Sequence, residues 1–355
     1  MKITDVKVSL VEAPLITPFK TALRTVHSIQ NVMVTIHTDD GQIGIGEAAP
    51  THVITGETLG SIQYAIEQVI APLLKGMDLA EIAALCELVD SCLYQNTSAK
   101  AAVEIALYDL WAKKYNAPLY ELLGGYRKSL TTDITISVNE HPEMVQDSLA
   151  AVEHGFSILK VKVGKDPTGD VNRILKIHEA VGPHIGLRID ANQGWTPKQA
   201  VSIIGQLEDA GVQMELVEQP VHYSDVVGMQ YVTNHTQTPI LADESVFSPK
   251  QAIEVIEKRA ADLINIKLMK TGGISKAQQI ANIAQASGVE CMIGCMLETK
   301  ISVSAAAHFA AANKIVTMVD LDGPSLCVKD PINGGPIFEG ETIQMVERAG
   351  LGFLL

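Results

Sequence analysis

Beyond about residue 126, short runs of branched apolar residues alternate with longer stretches in which apolar residues recur at helical spacing. The runs follow one another at roughly 24–28 residues, the interval of repeated β–α units that close into a barrel. They end near Ser137, Lys162, Asp190, Glu218, Asp243, Lys267, Gly294 and Asp320. Most of these ends carry a charge, and in β/α barrels the C-terminal strand ends form the active-site face. The pattern predicts an α/β fold, with a TIM-type barrel over 126–323.

Residues 1–125 follow a different pattern, which predicts an α+β unit ahead of the barrel. Alternating apolar positions indicate strands near the N-terminus, and Asp40-Gly41 between two of them is typical of a hairpin. From Leu59 to about Tyr115 the spacing becomes helical. A short helix starting at Pro118 and stopping at Gly125 indicates the boundary with the barrel.

Two loops and a tail complete the predicted N-terminal unit. The loops, at about 15–29 and 50–58, are long enough to act as lids. The C-terminal segment 324–355 contains Gly334-Gly335 and alternating apolar residues, and we expect it to return to the N-terminal unit.

Composition narrows the range of functions. The chain has 355 residues, a hydrophobic content of 47% and a formal net charge of −14, so it can bury a large core but lacks the basic surface that nucleic acid or an anionic membrane requires. Its five cysteines show no metal-finger spacing and are interpreted as reduced thiols. Lys2, Asp5 and Lys7 lie among the first residues, so we expect no signal-peptide apolar region there. No later apolar run is long enough to span a bilayer. We expect a cytoplasmic protein that acts on small molecules.

Two lysines alternate with branched apolar residues in the run Ile158–Gly164. Period-two alternation places Lys160 and Lys162 on the same side of a strand. Like charges on one buried face should lower both pKa values, and a lysine pKa of about 7–8 suits a general base. The alternative is an edge strand with solvated lysines.

Three carboxylates, Asp190, Glu218 and Asp243, end consecutive predicted strands. Their convergence without a cation would be strongly repulsive, and oxygen-only ligation suits a hard divalent ion, Mg²⁺ ahead of Mn²⁺. The alternative is that each carboxylate caps the following helix. Helix capping explains Glu218, which precedes Gln219-Pro220, less well than the other two.

Lys267 ends the sixth predicted strand, which lies opposite the second in an eight-stranded barrel. Lys162 and Lys267 should therefore face each other across the barrel mouth and handle a proton on either face of one carbon. A salt bridge from Lys267 to a carboxylate such as Asp243 is compatible with this role. Lys165, Lys270 and Lys276 are expected to be solvated.

Asp320 and Asp322 end the eighth strand and share a face by alternation. The eighth strand lies opposite the fourth, so the pair should sit across the cavity from the metal. Two carboxylates there suit an ammonium group on a substrate whose carboxylate is at the metal. A solvated or calcium-binding turn is the alternative.

These motifs together resemble the muconate-lactonizing branch of the enolase superfamily, and within it the dipeptide epimerases of the L-Ala-D/L-Glu type. The matching segments, spread over nearly the whole chain, are Lys160-Val-Lys162, Asp190-Ala-Asn, Glu218-Gln-Pro, Ala-Asp243-Glu-Ser, Asn265-Ile-Lys267 and Asp320-Leu-Asp322. Singly each motif is weak; together they are highly specific. The seventh strand lacks the catalytic histidine of the mandelate racemase branch.

The resemblance implies a fold and a set of roles. The fold is a modified TIM barrel under an α+β capping domain formed by both termini. Mg²⁺ would be bound by Asp190, Glu218 and Asp243, and Lys162 and Lys267 would be the acid/base pair. Lys160 would assist electrostatically, and Asp320 and Asp322 would hold the α-ammonium of a dipeptide. The implied reaction is epimerisation at the C-terminal residue through an enediolate.

The sequence leaves other functions and the substrate side chain open. A cycloisomerase or an o-succinylbenzoate synthase-type lyase would use the same lysines and metal, and a metal-binding protein without catalysis is a further alternative. Arg24, on the first lid loop, is a candidate partner for a glutamate side chain. Apolar lid residues such as Phe19 and Ile54 would instead favour a hydrophobic one. Whether the chain forms a homo-oligomer is open as well.

Overall fold

The computed structural model describes residues 1–354 and begins with a three-stranded antiparallel sheet. Its strands are β1 (Ile3–Lys20), β2 (Thr25–Thr38) and β3 (Ile43–Ala48), in that order. The predicted hairpin is confirmed, because the Thr38 amide donates to the Gln42 carbonyl at 3.1 Å around the turn. Val32, Val34 and Ile36 of β2 are completely buried beneath the helices that follow.

Helices cover this sheet over the range for which the sequence predicted them. They are α1 (Leu59–Tyr64), α2 (Ala71–Leu74), α3 (Ile82–Ser91), α4 (Thr97–Lys114) and α5 (Leu119–Leu123), with a π-helical segment Ala65–Ile70 between the first two. The long helix α4 lies directly on β3, where Gly44 and Gly46 present no side chain. A Cβ at either glycine would collide with the carbonyl oxygen of Ala106 or Ala102. This close approach fixes the position of α4 on the sheet.

The barrel follows a short strand, β4 (Ser129–Thr131). Its eight strands pair in chain order, each parallel to the next. They are β5 (Ile134–Ile136), β6 (Ile158–Lys162), β7 (Gly186–Asp190), β8 (Met214–Glu218), β9 (Ile240–Ala242), β10 (Leu263–Lys267), β11 (Glu290–Gly294) and β12 (Val316–Asp320). The surrounding helices are α6 (His141–Glu153), α7 (Pro167–Val181), α8 (Pro197–Asp209), α9 (Val226–His235), α10 (Pro249–Glu257), α11 (Leu268–Thr271), α12 (Ile274–Ser287) and α13 (Lys300–Ala312). The predicted modified barrel is confirmed, and its strand ends lie within one or two residues of the predicted ones.

Strand register brings the charged ends together in two groups. Lys162 lies beside Asp190, which lies beside Glu218. On the other side, Lys267 lies beside Gly294, which lies beside Asp320. Neighbouring strands are about 4.8 Å apart, so each group forms a compact arc at the barrel mouth.

The seam between β5 and β12 is closed by side chains as well as by backbone. The Asp133 amide donates to the Val319 carbonyl at 3.4 Å, and the Leu321 amide donates to the Thr132 hydroxyl at 2.8 Å. Inside the barrel, the buried Arg188 guanidinium contacts both the Asp133 carboxylate and the Val319 carbonyl at 2.8 Å. One cation therefore holds the first and eighth strands together.

The C-terminal tail contacts both the barrel and the N-terminal unit. Its strands are β13 (Asn333–Gly334), β14 (Ile337–Glu339), β15 (Thr342–Gln344) and β16 (Phe353–Leu354). β15 pairs with β4, whereas the Leu351 amide donates to Asp109 of α4 at 2.8 Å. The exact division into domains at residues 125 and 323 stays a prediction.

The first predicted lid loop is wrong in its extent. Strands β1 and β2 continue through most of 15–29 as a hairpin arm, and only residues 21–24 form its turn. The arm is ordered because Leu15 and Ile29 pack with Leu297 and Cys327 of the barrel and tail. The second predicted loop, 50–58, contains only turns and irregular backbone.

Buried carboxylates join the N-terminal unit to the barrel. Glu47 of β3 accepts hydrogen bonds from the amide and hydroxyl groups of Thr299 and Ser302, at 2.8–3.0 Å, at the start of α13. Glu104 of α4 accepts from the amide and hydroxyl of Ser275, at 2.6 and 2.8 Å, at the start of α12. A helix N-terminus has unsatisfied amide donors and favours a negative charge. Two barrel helices are thus capped by carboxylates from the other unit.

No helix within residues 1–354 is both long and apolar enough to cross a membrane.

We expect Glu47→Ala to lower the free energy of unfolding, because it leaves buried donors at the start of α13 unpaired. Each such donor costs about 1–3 kcal/mol, so the combined loss should reach about 3 kcal/mol. Urea denaturation measures it. Glu67→Ala, at an exposed position of the same unit, is the control and should change stability by less than about 0.5 kcal/mol. Equal losses in the two variants would contradict the role assigned to Glu47.

Candidate active site

One cavity at the barrel mouth gathers most of the predicted site residues. It is lined by Arg24, Lys160, Lys162, Asp243, Lys267, Asp320 and Asp322. Asp190 and Glu218 lie directly behind, completely buried and in contact with Lys160. The turn 21–24 and the loop 50–58 cover the cavity from the N-terminal unit, contributing Leu23, Val53 and Ile54. The structure therefore brings together every residue proposed from the sequence.

Lys160 is the centre of the ion-pair network. Its ammonium nitrogen lies 2.6 Å from a carboxylate oxygen of Glu218, 2.6 Å from one of Asp320 and 3.3 Å from one of Asp190. Burial alone would lower the pKa of Lys160, but Asp320, Glu218 and Asp190 outweigh it and raise the pKa well above its ordinary value. The expected lowering of this pKa is wrong, because the lysine is surrounded by anions rather than paired with a second cation.

Lys162 and Lys267 contact different members of the carboxylate set. The Lys162 ammonium lies 2.5 Å from Asp190, and the Lys267 ammonium lies 2.8 Å from Asp243 and 3.8 Å from Glu218. Burial would lower the pKa of Lys267, yet Asp243 and Glu218 raise it. Lys267 has room because its neighbour on β11 is Gly294, where a Cβ would lie 2.9 Å from the Lys267 Cε.

Two of the three carboxylates at the ends of the third to fifth strands have an oxygen atom without a hydrogen-bond partner. Glu218 Oε2 and Asp243 Oδ1 are buried and lack a partner with hydrogen-bond geometry, although each lies 2.6 Å from a lysine nitrogen. Burial and the Asp190 charge raise the pKa of Glu218 to about 7. Within residues 1–354 no three acidic, histidine or cysteine side chains are grouped closely enough to hold a metal ion as they stand, and lysine ammonium groups contact these carboxylates instead. The three carboxylates are buried, lie on adjacent strands and offer only oxygen atoms, and hard divalent cations bind ligands of this kind.

Neighbouring amides hold these carboxylates in place. Asn265 donates to Glu218 Oε1 at 2.8 Å. The Gln219 side-chain carbonyl accepts from the Asp243 and Ser245 amides at 2.9 and 3.2 Å, so it joins the ends of β8 and β9. Gln219 has a φ of +36° and Asn192 one of +43°, backbone conformations that are rare for residues other than glycine. Such strain is retained where the surrounding contacts impose it.

Lys270 corrects one sequence prediction. It is completely buried, not solvated, and its ammonium lies 2.6 Å from Asp243 Oδ1. The strand alternation used to judge its position does not apply, because Lys270 lies in the short helix α11 that follows Lys267. Lys165 is exposed, as predicted, and Lys276 is half-buried and pairs with Asp90 at 3.0 Å.

Asp320 and Asp322 are both nearly completely buried, but they lie closer to the other carboxylates than expected. Asp320 shares the Lys160 ammonium with Glu218, because the long lysine side chain reaches the middle of the barrel. Burial would raise the pKa of Asp320, but Lys160 and Lys267 lower it to about 2. Asp322 accepts a hydrogen bond from the Thr135 amide at 2.7 Å, and burial beside Asp320 raises its pKa to about 6.

Arg24 reaches the cavity from the turn of the hairpin arm. It is half-buried, and its guanidinium forms no ion pair with any carboxylate in residues 1–354. Burial lowers its pKa. Phe19 and Ile54 also line the cavity, whereas Ile29 packs away from it against the barrel and tail. Near the turn of the hairpin arm, the cavity wall therefore combines the unpaired Arg24 guanidinium with apolar side chains.

Glu244 is a site residue that the sequence reasoning did not single out. It lines the cavity, is 3% exposed, and its Oε2 has no hydrogen-bond partner. Burial and the adjacent Asp243 raise its pKa to about 8. Its position directly after Asp243 was the only signal, and strand alternation would have turned it away from the site. It lies on the site because β9 ends at Ala242, before both residues.

Comparison with known proteins identifies the family. Residues 3–124 match the mandelate racemase / muconate lactonizing enzyme N-terminal domain, and residues 143–355 match the enolase C-terminal domain-like family. The chain belongs to the mandelate racemase / muconate lactonizing enzyme family of the enolase superfamily. The resemblance inferred from the motifs is confirmed.

Three relatives are similar over almost their whole lengths. An L-Ala-D/L-Glu epimerase from Clostridium acetobutylicum is 51% identical over 99% of this chain and 98% of its own. The structure of a substrate-liganded complex of the L-Ala-D/L-Glu epimerase from Bacillus subtilis is 52% identical, with a TM-score of 0.99 over 100% of this chain and 99% of that one. A dipeptide epimerase from Enterococcus faecalis, complexed with Mg and the dipeptide L-Leu-L-Tyr, is 44% identical, with a TM-score of 0.97 over the full length of both chains.

We expect Lys160→Met to destabilise the fold, because it leaves three buried carboxylates without their shared cation. Removing one partner of a buried ion pair costs about 3–5 kcal/mol, and urea denaturation in EDTA should show a loss of that size. Lys165→Met, at the exposed lysine of the same segment, is the control. An unchanged or higher stability of Lys160→Met would mean that the network does not hold the strand ends together.

Proposed function

We propose that the protein is a Mg²⁺-dependent dipeptide epimerase, which inverts the α-carbon of the C-terminal residue of a dipeptide. One observation carries the proposal. Lys162 on β6 and Lys267 on β10 line one cavity from strands that are separated by three others, with the carboxylate set on the strands between them. This arrangement allows a proton to be removed from one face of a carbon and returned to the other.

Asp190, Glu218 and Asp243 would hold the Mg²⁺ ion, since they supply buried carboxylate oxygen atoms from the ends of three adjacent strands. When bound, the ion supplies positive charge beside the substrate carboxylate, where negative charge develops as the α-proton leaves. The relative from Enterococcus faecalis, which is described with Mg and a dipeptide, supports this assignment.

The lysines would transfer the proton. One of Lys162 and Lys267, in its neutral form, takes the α-proton, and the other, in its ammonium form, donates one to the opposite face. Loss of the proton leaves an enediolate with one more negative charge than the substrate carboxylate. The Lys160 ammonium, held between Glu218 and Asp320, favours that charge electrostatically.

Asp320 and Asp322 would bind the α-ammonium group of the dipeptide. Both line the cavity, burial beside Asp320 raises the pKa of Asp322, and Asp322 forms no ion pair in residues 1–354. A substrate ammonium group would pair with this carboxylate. A cycloisomerase or o-succinylbenzoate synthase-type substrate has no such group, so this observation favours the dipeptide reaction over the lyase alternative.

The second side chain of the substrate would be acidic, with Arg24 as its partner. The guanidinium lies at the cavity without an ion pair in the described structure, and a bidentate pair with a glutamate carboxylate discriminates strongly. The rival is a hydrophobic side chain, favoured by Phe19, Val53 and Ile54 and by the relative described with L-Leu-L-Tyr.

We propose a cytoplasmic location for this reaction. All five cysteines are free thiols, as expected for a protein of a reducing compartment. A homo-oligomer remains an open expectation, which sedimentation of the purified protein tests directly.

We expect Lys162→Ala and Lys267→Ala each to abolish net epimerisation, because each removes the proton donor or acceptor on one face of the α-carbon. Each variant should still exchange the α-proton of one epimer with solvent. Mass spectrometry of dipeptides incubated in D₂O, with Mg²⁺ and with EDTA as the control, measures both. If either variant keeps near-normal turnover, or if wild type turns over equally well in EDTA, the proposal fails.

We expect Arg24→Met to lower kcat/KM for L-Ala-L-Glu. The fall should correspond to a loss of about 2–4 kcal/mol of transition-state binding energy. L-Ala-L-Leu should be turned over almost as before, because its side chain makes no ion pair. Lys20→Met is the matched control, since Lys20 is a cation of the same arm that bonds to Asn139 and does not line the cavity. If the wild-type enzyme turns over hydrophobic dipeptides better than L-Ala-L-Glu, the assignment of a glutamate side chain is wrong, but the assignment as an epimerase stands.

A further inference from the structure

We infer that Lys270 is a positioning residue that sets the affinity of the site for its divalent cation by holding the Asp243 carboxylate. The inference rests on the proposed function, in which Asp243 is a ligand of that cation.

The geometry divides the two oxygen atoms of Asp243 between two lysines. Oδ1 lies 2.6 Å from the Lys270 ammonium, and Oδ2 lies 2.8 Å from the Lys267 ammonium. Lys267 lines the cavity, whereas Lys270 does not appear on its walls. One oxygen is therefore held from behind while the other faces the reaction space.

Lys270 also fixes the backbone on both sides of the site. Its ammonium donates to the carbonyl oxygens of Asp243 at 2.5 Å and Asn265 at 2.9 Å. Asn265 in turn donates to Glu218. One buried cation thus sets the spacing between the ends of β9 and β10, and through it the spacing of two of the three carboxylates.

Burial makes these contacts obligatory. Lys270 is 0% exposed, and its nitrogen lies 5.7 Å from the centre of the Phe247 ring, whose face also favours a cation. An ammonium with no water around it needs partners for each of its protons. The side chain has no alternative solvated position, so Asp243 Oδ1 has little freedom to turn.

Two opposite effects on cation binding must be weighed. Lys270 repels a divalent ion, but it also prevents Asp243 from turning both oxygen atoms towards Lys267. The carbonyl dipoles and Phe247 surround the ammonium and reduce its repulsion. The ion pair with Lys270 is the contact that holds Oδ1, since no group in residues 1–354 donates a hydrogen bond to this oxygen. Orientation should therefore be the larger effect. Losing a group that orients a metal ligand costs about 10–100-fold in metal affinity.

The test is Mg²⁺ titration by calorimetry on wild type, Lys270→Met and Lys270→Gln. Lys270→Met keeps the length and removes every donor, and Lys270→Gln keeps a neutral donor. The matched control is Lys165→Met, because Lys165 lies three residues after Lys162, as Lys270 lies three residues after Lys267, but is exposed. Melting in EDTA shows whether each variant folds, and turnover measured against Mg²⁺ concentration separates cation binding from chemistry.

We expect the Mg²⁺ dissociation constant to rise about 10–100-fold in Lys270→Met, to rise less in Lys270→Gln and to stay unchanged in Lys165→Met. Turnover lost at low Mg²⁺ should return at saturating Mg²⁺, which a merely structural defect would not allow. An unchanged or lower dissociation constant in a folded variant overturns the inference, and if Lys270→Met does not fold, Lys270→Gln decides. If the wild-type protein does not bind Mg²⁺ in this titration, the proposed function itself is wrong.

Discussion

The structure depends on the mutual neutralisation of charges that are buried at the strand ends. Four ammonium groups and four carboxylates are in direct contact there, so the network is balanced. They are Lys160, Lys162, Lys267 and Lys270 with Asp190, Glu218, Asp243 and Asp320. A buried charge without a partner is very costly, so each group keeps its place only because the others keep theirs. Asp322 and Glu244 form none of these ion pairs, and burial beside Asp320 and Asp243 raises their pKa values to about 6 and about 8.

The N-terminal unit is needed to complete this site. Glu47 and Glu104 cap the barrel helices α13 and α12, which follow the seventh and sixth strands. The same unit supplies the hairpin arm and the loop 50–58, which cover the cavity. The position of the covering residues is therefore set by carboxylates at the junction rather than by the loops alone.

The sequence predicted the barrel and its charged strand ends because strand alternation, repeat length and charge all indicate the same positions. It could not predict the contacts of side chains that lie on a helix after the strand end, or of side chains that reach across the barrel. Lys270 belongs to a helical turn, so strand parity misplaced it. The pKa of Lys160 depends on Asp320, which is 160 residues away and meets it only after the barrel closes. Arg24 lies in a turn, as predicted, but most of the predicted loop around it is a strand arm held by apolar packing against the barrel.

The seam between β5 and β12 links the wall of the cavity to the integrity of the barrel. Asp322 follows the eighth strand, yet its carboxylate accepts the Thr135 amide of the first, so it joins the two strands above Arg188. A residue that lines the cavity is thus also part of the closure of the fold. Exchange of this carboxylate for a side chain without an oxygen acceptor would leave the buried Thr135 amide unpaired, at a cost of about 1–3 kcal/mol. A lineage that moved to substrates without an ammonium group would therefore lose least stability by single exchanges that still offer an oxygen acceptor to the first strand.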